Sequence, residues 1–560
     1  MEKTEIESYG HEDPNSYRGE TPGSHYPPYA KYGSEYDDEA KQEVVDQTSD
    51  IGQVEEQAGT KRGLSARHIQ MISLGGAIGT GLFLNSGGNI ASAGPAGALI
   101  AYIVIGFMVF CIMTCLGEMA TYMPISGSFN LYAAKFVDPA LGFALGWNYW
   151  FSWAVTIATE LAAAATIIDY WFQDYQPVPN AAWSAIFLVL IFGVNTFGVR
   201  VYGELEYWFA MIKIILVIVF LIVALLVTTG AVGGHTIGFS YWKDPGAFNN
   251  GVLGTVGVLL SAGFSFQGTE IVGVTAGEAK NPHKSVPRAI RNVFWRIVIF
   301  FVLTMLFIGM CVPYTLPDLS TSSDSTTASF TIIFNLAGIG VGAHIVNAVI
   351  LSSVLSAANS SLYTCSRTLM ALARDGKAPS IFARVTRFGS PLWATLGSSI
   401  IGFACVFVDL YRPEDAFVWF LSITAVTGFI SWTGIAAAHL RFRKAYVAQG
   451  RDVNELPYRA LWYPFSPIFA IVLTVLIVLA QGYGAFYPQW DVLTFFIDYI
   501  GIAPFILTYG GYKIFKRSKV IPLLEVDLDT SRYIPTYEDE IENQEYEHRP
   551  WYKRVFGAII

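Results

Sequence analysis

Two carboxylates and a lysine lie in stretches too apolar to hold them for stability alone. Glu160 follows "FSWAVTIAT", Glu270 closes "SAGFSFQGTE", and Lys213 interrupts "YWFAMIKIILVIVF". A charge at the centre of a bilayer costs roughly 3 kcal/mol on insertion scales, so such groups are expected to bind or to move protons. Around Glu270, and again near the start of the apolar sequence, the residues also discourage helix. "SAGFSFQGTEIVGV" carries Gly263, Gly268 and Thr269, and "ISLGGAIGTGLF" carries Gly75, Gly76, Gly79 and Gly81. Each glycine weakens a helix by about 1 kcal/mol relative to alanine. For the glycines of "ISLGGAIGTGLF", close packing of helices through small residues is the competing reading. For Glu270 it is a carboxylate hydrogen-bonded within a bundle.

An unwound segment at membrane depth survives only where it lines a cavity or is buried in protein. Amide groups at the start of a half-helix attract an anion, and carbonyls at the end of the preceding half attract a cation. The amides near Thr80 and Gly81, with the Thr80 hydroxyl, would then hold a carboxylate. The carbonyls near Phe264, Ser265 and Gln267 would hold an ammonium. Together they suit a zwitterion such as an amino acid. Ser152, Thr156 and Glu160 follow at intervals of four, which places all three on one helical face. A polar stripe of this kind is expected to face the interior, where Glu160 could neutralise a cationic side chain. Lys213 has no acid one turn away within its apolar run. It is either a lysine reaching toward an interface or a buried group that gives up its proton more readily than usual. Ser356 and Asn359, in "LSAANSSLY", read equally as support for a central site and as ordinary hydrogen bonding between helices.

The elements that must position these groups follow from composition. Of 560 residues, 53% are hydrophobic and only 14% charged, too apolar for a water-soluble chain of this length. About twelve runs reach the roughly 20 residues that a helix needs to cross hydrocarbon. They cover 69–88, 98–120, 141–171, 182–202, 208–230 and 252–276, then 292–314, 342–372, 392–410, 415–438, 466–487 and 492–514. The fold class expected is an all-α membrane protein whose first and sixth spans are interrupted. Interruptions at matching places in two halves point to a transporter's central site. Lys and Arg cluster after the even-numbered spans, for example Lys284, Arg288 and Arg291, then Arg374 and Lys377, then Arg441, Arg443 and Lys444. The loops on the other side hold only Lys243 and Arg412. Both chain ends are therefore expected in the cytoplasm.

The domain organisation expected is a disordered N-terminal tail over 1–64, a twelve-helix body over 65–515 and a C-terminal tail over 516–560. The net charge of −9 is concentrated in those tails and calls for no basic partner. The first 60 or so residues lack a charged start followed by an apolar core, so no cleavable signal is expected. Cys111, Cys115, Cys311, Cys365 and Cys405 match no metal spacing. No Ser/His/Asp set, phosphate-binding loop or catalytic carboxylate pair is visible, so neither an enzyme nor a metal or organic cofactor is expected. No basic patch beyond the loops suggests nucleic acid. His344, at a span start, reads as a surface or packing residue.

"LSARHIQMISLGGAIGTGLFLNSG", "GEMATYMPISGSFNLYAAKFVDPALGFALGWNYW" and "FQGTEIVGVTAGEAKNPHKSVPRAI" resemble the fungal amino acid permeases, nearest to their basic amino acid (arginine and lysine) branch. The similarity runs from about Leu64 to the C terminus. It implies the inverted five-plus-five helix fold of the leucine transporter and proton-driven uptake of amino acids across the plasma membrane. It also implies substrate contacts from Ala77, Thr80 and Gly81, an aromatic gate at Phe264, and a link to gating and proton movement at Glu270. Lys213 is implied to stand where sodium binds in sodium-driven relatives. Ser152 and Thr424 match positions that separate arginine from lysine carriers, and the pair resembles the arginine type. Neutral permeases also carry a glutamate at the Glu160 position, so that residue alone does not decide substrate. A broad-range permease and a non-transporting amino acid sensor are the alternatives. Lys3, Lys31, Lys41 and Lys61 in the N-terminal tail would suit ubiquitin-controlled withdrawal from the membrane, with a passive lead as the competing reading.

Overall fold

The runs long enough to cross a bilayer do form helices, because only helical hydrogen bonding satisfies a lone backbone segment in hydrocarbon. The structure, a computed structural model, describes residues 78–125, 129–172, 178–197, 199–274, 276, 281–319, 328–386, 389–486 and 489–535. Every regular element among them is helical. The tail readings for 1–64 and for 536–560 fall outside these residues. Among the described residues eight helices are long and apolar enough to span a membrane, or nine if the pair Val492–Tyr499 and Ile502–Lys516, bent by 55°, is one span. Two shorter apolar helices, Asn180–Thr196 and Gly251–Phe266, supply the fourth and sixth.

The first two spans are joined more tightly than hydropathy suggests. One continuous helical stretch, Asn85–Tyr122, runs from the end of the first span through the second and breaks only at Gly94, with φ 75° and ψ 168°, before Pro95. That positive φ favours glycine, and a Cβ there would lie 2.7 Å from Asn249 N and 2.8 Å from Ala247 O. The segment leading into the sixth span docks on this kink: Ala96 N donates to Ala247 O at 2.9 Å, and Asn249 N to Ala93 O at 2.9 Å. The end of the first span and the start of the sixth are thereby fixed to each other.

The third span, Pro139–Ile168, is the most enclosed and packs chiefly on the eighth, Gly340–Arg374, and the tenth, Pro413–Ala448. Asp138 caps its start, accepting from Ala140 N at 2.9 Å, with Pro139 in the first turn where its missing N–H costs nothing. The seventh span begins earlier than its apolar run, as the amphipathic helix Pro282–Arg296, and continues through a π turn at Ile297–Val302 to Cys311. The tenth outlasts its apolar run by ten residues and carries its basic end, Arg441 to Lys444, beyond it. Residues 517–535 belong to the tail expected over 516–560. They lie against the ends of the second and tenth spans, with Val526 3% and Leu528 1% exposed.

Candidate functional site

The break in the sixth span and the start of the first-span helix meet at the centre of the bundle. The helix Gly251–Phe266 stops at Gln267, whose φ −60° and ψ 150° are extended, and Gly268 follows with φ 89°. Helix resumes only at Ile271. In the first span the described chain enters at Ile78, passes through Gly79 with non-helical φ −142° and ψ −148°, and becomes helical at Thr80. Ala77 lies outside the described residues.

The two segments touch backbone to backbone. A Cβ on Gly81 would sit 2.6 Å from Ser265 Cα, so this contact requires glycine's missing side chain. Ser265 Oγ donates to Gly81 O at 2.9 Å and lies 3.0 Å from the Tyr102 hydroxyl, which accepts from Asn89 Nδ2 at 3.0 Å. Tyr102 thus pins the second span to both breaks.

Beside this contact is a small cavity, lined by Gly79, Gly81, Trp153, Thr156, Glu160, Phe264, Ser265, Gln267, Ala357 and Ser361. Of the residues singled out from the sequence, Gly81, Thr156, Glu160, Phe264, Ser265 and Gln267 form its wall. Thr80 stands behind it, donating through Oγ1 to Glu160 Oε1 at 2.9 Å. Glu160 is 4% exposed and its Oε2 has no hydrogen-bond partner; the indole N–H of Trp153 has none either. Trp153, Ala357 and Ser361 were not singled out from the sequence. An apolar ring and two small residues in a long helix carry no signal there.

Other groups stand back from the cavity. Ser152 accepts Thr156 Oγ1 on its carbonyl at 2.8 Å, one turn along the stripe. Thr424 Oγ1 lies 3.2 Å from Thr159 Oγ1, and its carbonyl receives Gln267 Nε2 at 2.8 Å, which steadies the broken end of the sixth span. The Phe264 carbonyl was expected to be open to an ammonium. It accepts Gln267 N at 3.1 Å, because the chain closes a turn as the helix ends. Glu270 folds into the break itself, accepting from Gly268 N at 3.2 Å and from Trp432 Nε1 at 3.3 Å.

Lys213 lies on the helix Val199–Thr229. It is wholly buried, and an acid does stand beside it on its own helix: Glu206, with Oε1 at 3.9 Å from Nζ. Seven residues is two helical turns, which returns to the same face. Glu206 in turn accepts Ser356 Oγ at 2.6 Å. Asn359 Oδ1 accepts Asn195 Nδ2 at 2.8 Å, tying the eighth span to the fourth. Both Glu206 and Glu160 act electrostatically on Lys213. His344, read as a surface or packing residue, meets the Tyr170 ring edge-on at 5.3 Å.

A bundle of spanning helices, one broken at its centre where another begins, around a small polar cavity, has the build of a membrane carrier. The family described as "Amino acid permease" matches residues 68–524, and the chain belongs to that family. It is 46% identical over 478 residues to the lysine-specific permease LysP of Escherichia coli (strain K12), covering 84% of this chain and 97% of that protein. It is 40% identical over 507 residues to the lysine-specific permease of Saccharomyces cerevisiae, covering 88% and 82%. Among solved structures, the manganese transporter of Eremococcus coleocola matches with TM-score 0.50 at 14% identity, covering 79% of this chain and 92% of that one. At that identity the likeness concerns the fold alone, which is leucine-transporter-like, with the first and sixth spans interrupted.

Proposed function

We propose that this permease is a proton-coupled importer of basic amino acids, arginine and lysine, in the plasma membrane, with both termini cytoplasmic. The observation that carries the substrate class is the carboxylate oxygen of Glu160, buried in the cavity wall without a partner. A buried anion in that condition is stabilised by an incoming cation far more than by a neutral group. Relatives that are lysine-specific permeases by name support the same class. The zwitterionic end would lie against the breaks at Gly79–Gly81 and Ser265–Gln267. The driving force would be the proton gradient, with no cofactor. Lys213, between Glu206 and Glu160, is the group whose charge would answer to protonation, and Glu270 would couple the sixth-span break to it. Orientation rests on the basic residues after even-numbered spans.

Uptake of labelled arginine, lysine, proline and leucine, side by side in permease-deficient cells, tests the substrate. Arginine and lysine should dominate. Comparable leucine uptake would move the reading to a broad-range permease, and no uptake of any would move it to a sensor. Lys213→Ala should abolish accumulation against a gradient. Unchanged accumulation and pH dependence would remove the lysine from coupling.

A further inference from the structure

The donor expected to receive the substrate's carboxylate is already occupied. The Thr80 hydroxyl, which has one proton to give, gives it to Glu160 at 2.9 Å. Glu160 also lies close over the bare backbone in front of Thr80: a Cβ on Gly79 would be 3.2 Å from Oε1 and 3.2 Å from Ala357 Cβ. No side chain separates the third-span carboxylate from the start of the helix. One oxygen is therefore seated where an amino acid's carboxylate would sit, and the other faces the cavity unpartnered.

We infer that Glu160 is a resident stand-in for the substrate's carboxylate, displaced from Thr80 when an amino acid binds. The inference rests on the carrier reading above. Two carboxylates cannot share one hydroxyl proton, and two like charges in a buried site repel strongly. Binding is then an exchange. The α-carboxylate takes the Thr80 donor, and Glu160 turns to the cation that arrives with it. A ligand with both charges completes the exchange. An amine without a carboxylate has nothing to place on Thr80, and a neutral amino acid frees Glu160 with only its α-ammonium to answer it. In the empty carrier the same bond keeps the buried hydroxyl and half of the carboxylate satisfied. Glu160 thus acts as a specificity-determining residue twice, by what it occupies and by what it then requires.

The test uses the full-length chain purified in detergent, with lysine, norleucine and 1,5-diaminopentane as probes. Norleucine lacks lysine's side-chain ammonium, and the diamine lacks its carboxylate. In Glu160→Gln the uncharged amide holds the hydroxyl less strongly, since charge-assisted bonds are about twice as strong as neutral ones. Norleucine should bind about fivefold tighter than in wild type, or become measurable, while lysine weakens at least tenfold. Norleucine affinity that is unchanged or weaker overturns the exchange and leaves Glu160 as a fixed charge. Infrared difference spectra of the wild type supply a readout that does not depend on the variant folding. With ¹³C-carboxyl lysine to separate the ligand's own band, a protein carboxyl band should shift on binding. The diamine should leave it unmoved. A band that stays still with lysine, or moves equally with the diamine, overturns the inference. A folded wild type that binds neither lysine nor norleucine overturns the carrier reading itself and the exchange with it.

Discussion

Two buried glutamates of this permease differ in how completely their oxygens are held. Glu160 at the central cavity has one side-chain donor, Thr80, and one oxygen without any. Glu118, near the end of the second span, is saturated. Arg443 donates to both of its oxygens, through Nε and through Nη2 at 2.7 Å, Ala460 N donates to Oε2 at 2.6 Å, and His439 Nε2 lies 3.2 Å from Oε1. The Arg443 guanidinium is also 5.1 Å from the Tyr463 ring. Both carboxylates are shut off from solvent, so burial does not distinguish them. A carboxylate with paired, forked donors is fixed in place. One with a spare oxygen can change partner at little loss. The first joins the second span, the tenth and the connection beyond it into a lock. The second stands where binding must rearrange something.

The largest expected effect breaks the lock. Arg443→Leu strips both side-chain bonds from Glu118 and leaves a buried charge with an amide and a histidine. Removing one partner of a buried pair typically costs about 3–5 kcal/mol. The purified carrier should melt at a clearly lower temperature, or fail to reach the membrane at all. Glu160→Gln should leave the melting temperature nearly unchanged while altering binding. Equal losses of stability in the two variants would erase the distinction between lock and movable part.

The next effect concerns the meeting of the two breaks. Gly81→Ala places a methyl 2.6 Å from Ser265 Cα, which is backbone and cannot rotate away. Overpacking of this kind costs about 1–3 kcal/mol, and here it separates the broken segments that bound the cavity. Initial uptake should fall by tenfold or more. Gly79→Ala, whose nearest contacts are at 3.2 Å and are side chains, should be milder. A reversed order would mean that the contact between the breaks is not what shapes the site.

The sequence displayed the lipid-crossing elements because bilayer thickness sets a length that hydropathy can read. It displayed the sixth-span break because Gly268 and Glu270 have no place in an apolar helix. It did not display the joint between the first two spans. Hydropathy looks for a polar loop, and the turn is one buried glycine at 94. At the site, Thr80, Thr156, Glu160 and Gln267 stood out as polar residues among apolar ones. Trp153, Ala357 and Ser361 could not, since their types are ordinary in a helix. Glu206 was visible in principle as an acid two turns before Lys213. The clamp on Glu118 includes the Ala460 amide, and a backbone donor leaves no mark in the sequence.

The smallest effect lies where charge pairing is exposed. The segment 517–535 is held to the basic ends of the spans by Asp529 to Arg451 Nη2 at 2.7 Å and Asp527 to Lys135 at 3.1 Å. Gln449 Nε2 also donates to Val526 O at 2.7 Å, and Tyr533 N to Tyr122 O at 3.1 Å. The Arg451 hydrogen bond holds the Asp529 carboxyl below the usual carboxylate range. A depressed value means that the ion pair contributes fully above the unfolded carboxylate's pKa of about 3.9. The contribution is lost as pH falls through the lower, folded value. With its side chain 73% exposed, Asp529 is strongly screened, and such pairs contribute little. Asp529→Asn should therefore speed hydrogen exchange of the amides in 521–533 by less than about fivefold at pH 7. Wild type and variant should converge once the pH falls below the folded pKa of Asp529. Convergence already at pH 6 would show that the ion pair is not what holds the segment. Loss of stability throughout the bundle would show instead that the segment is part of the lock rather than a layer upon it.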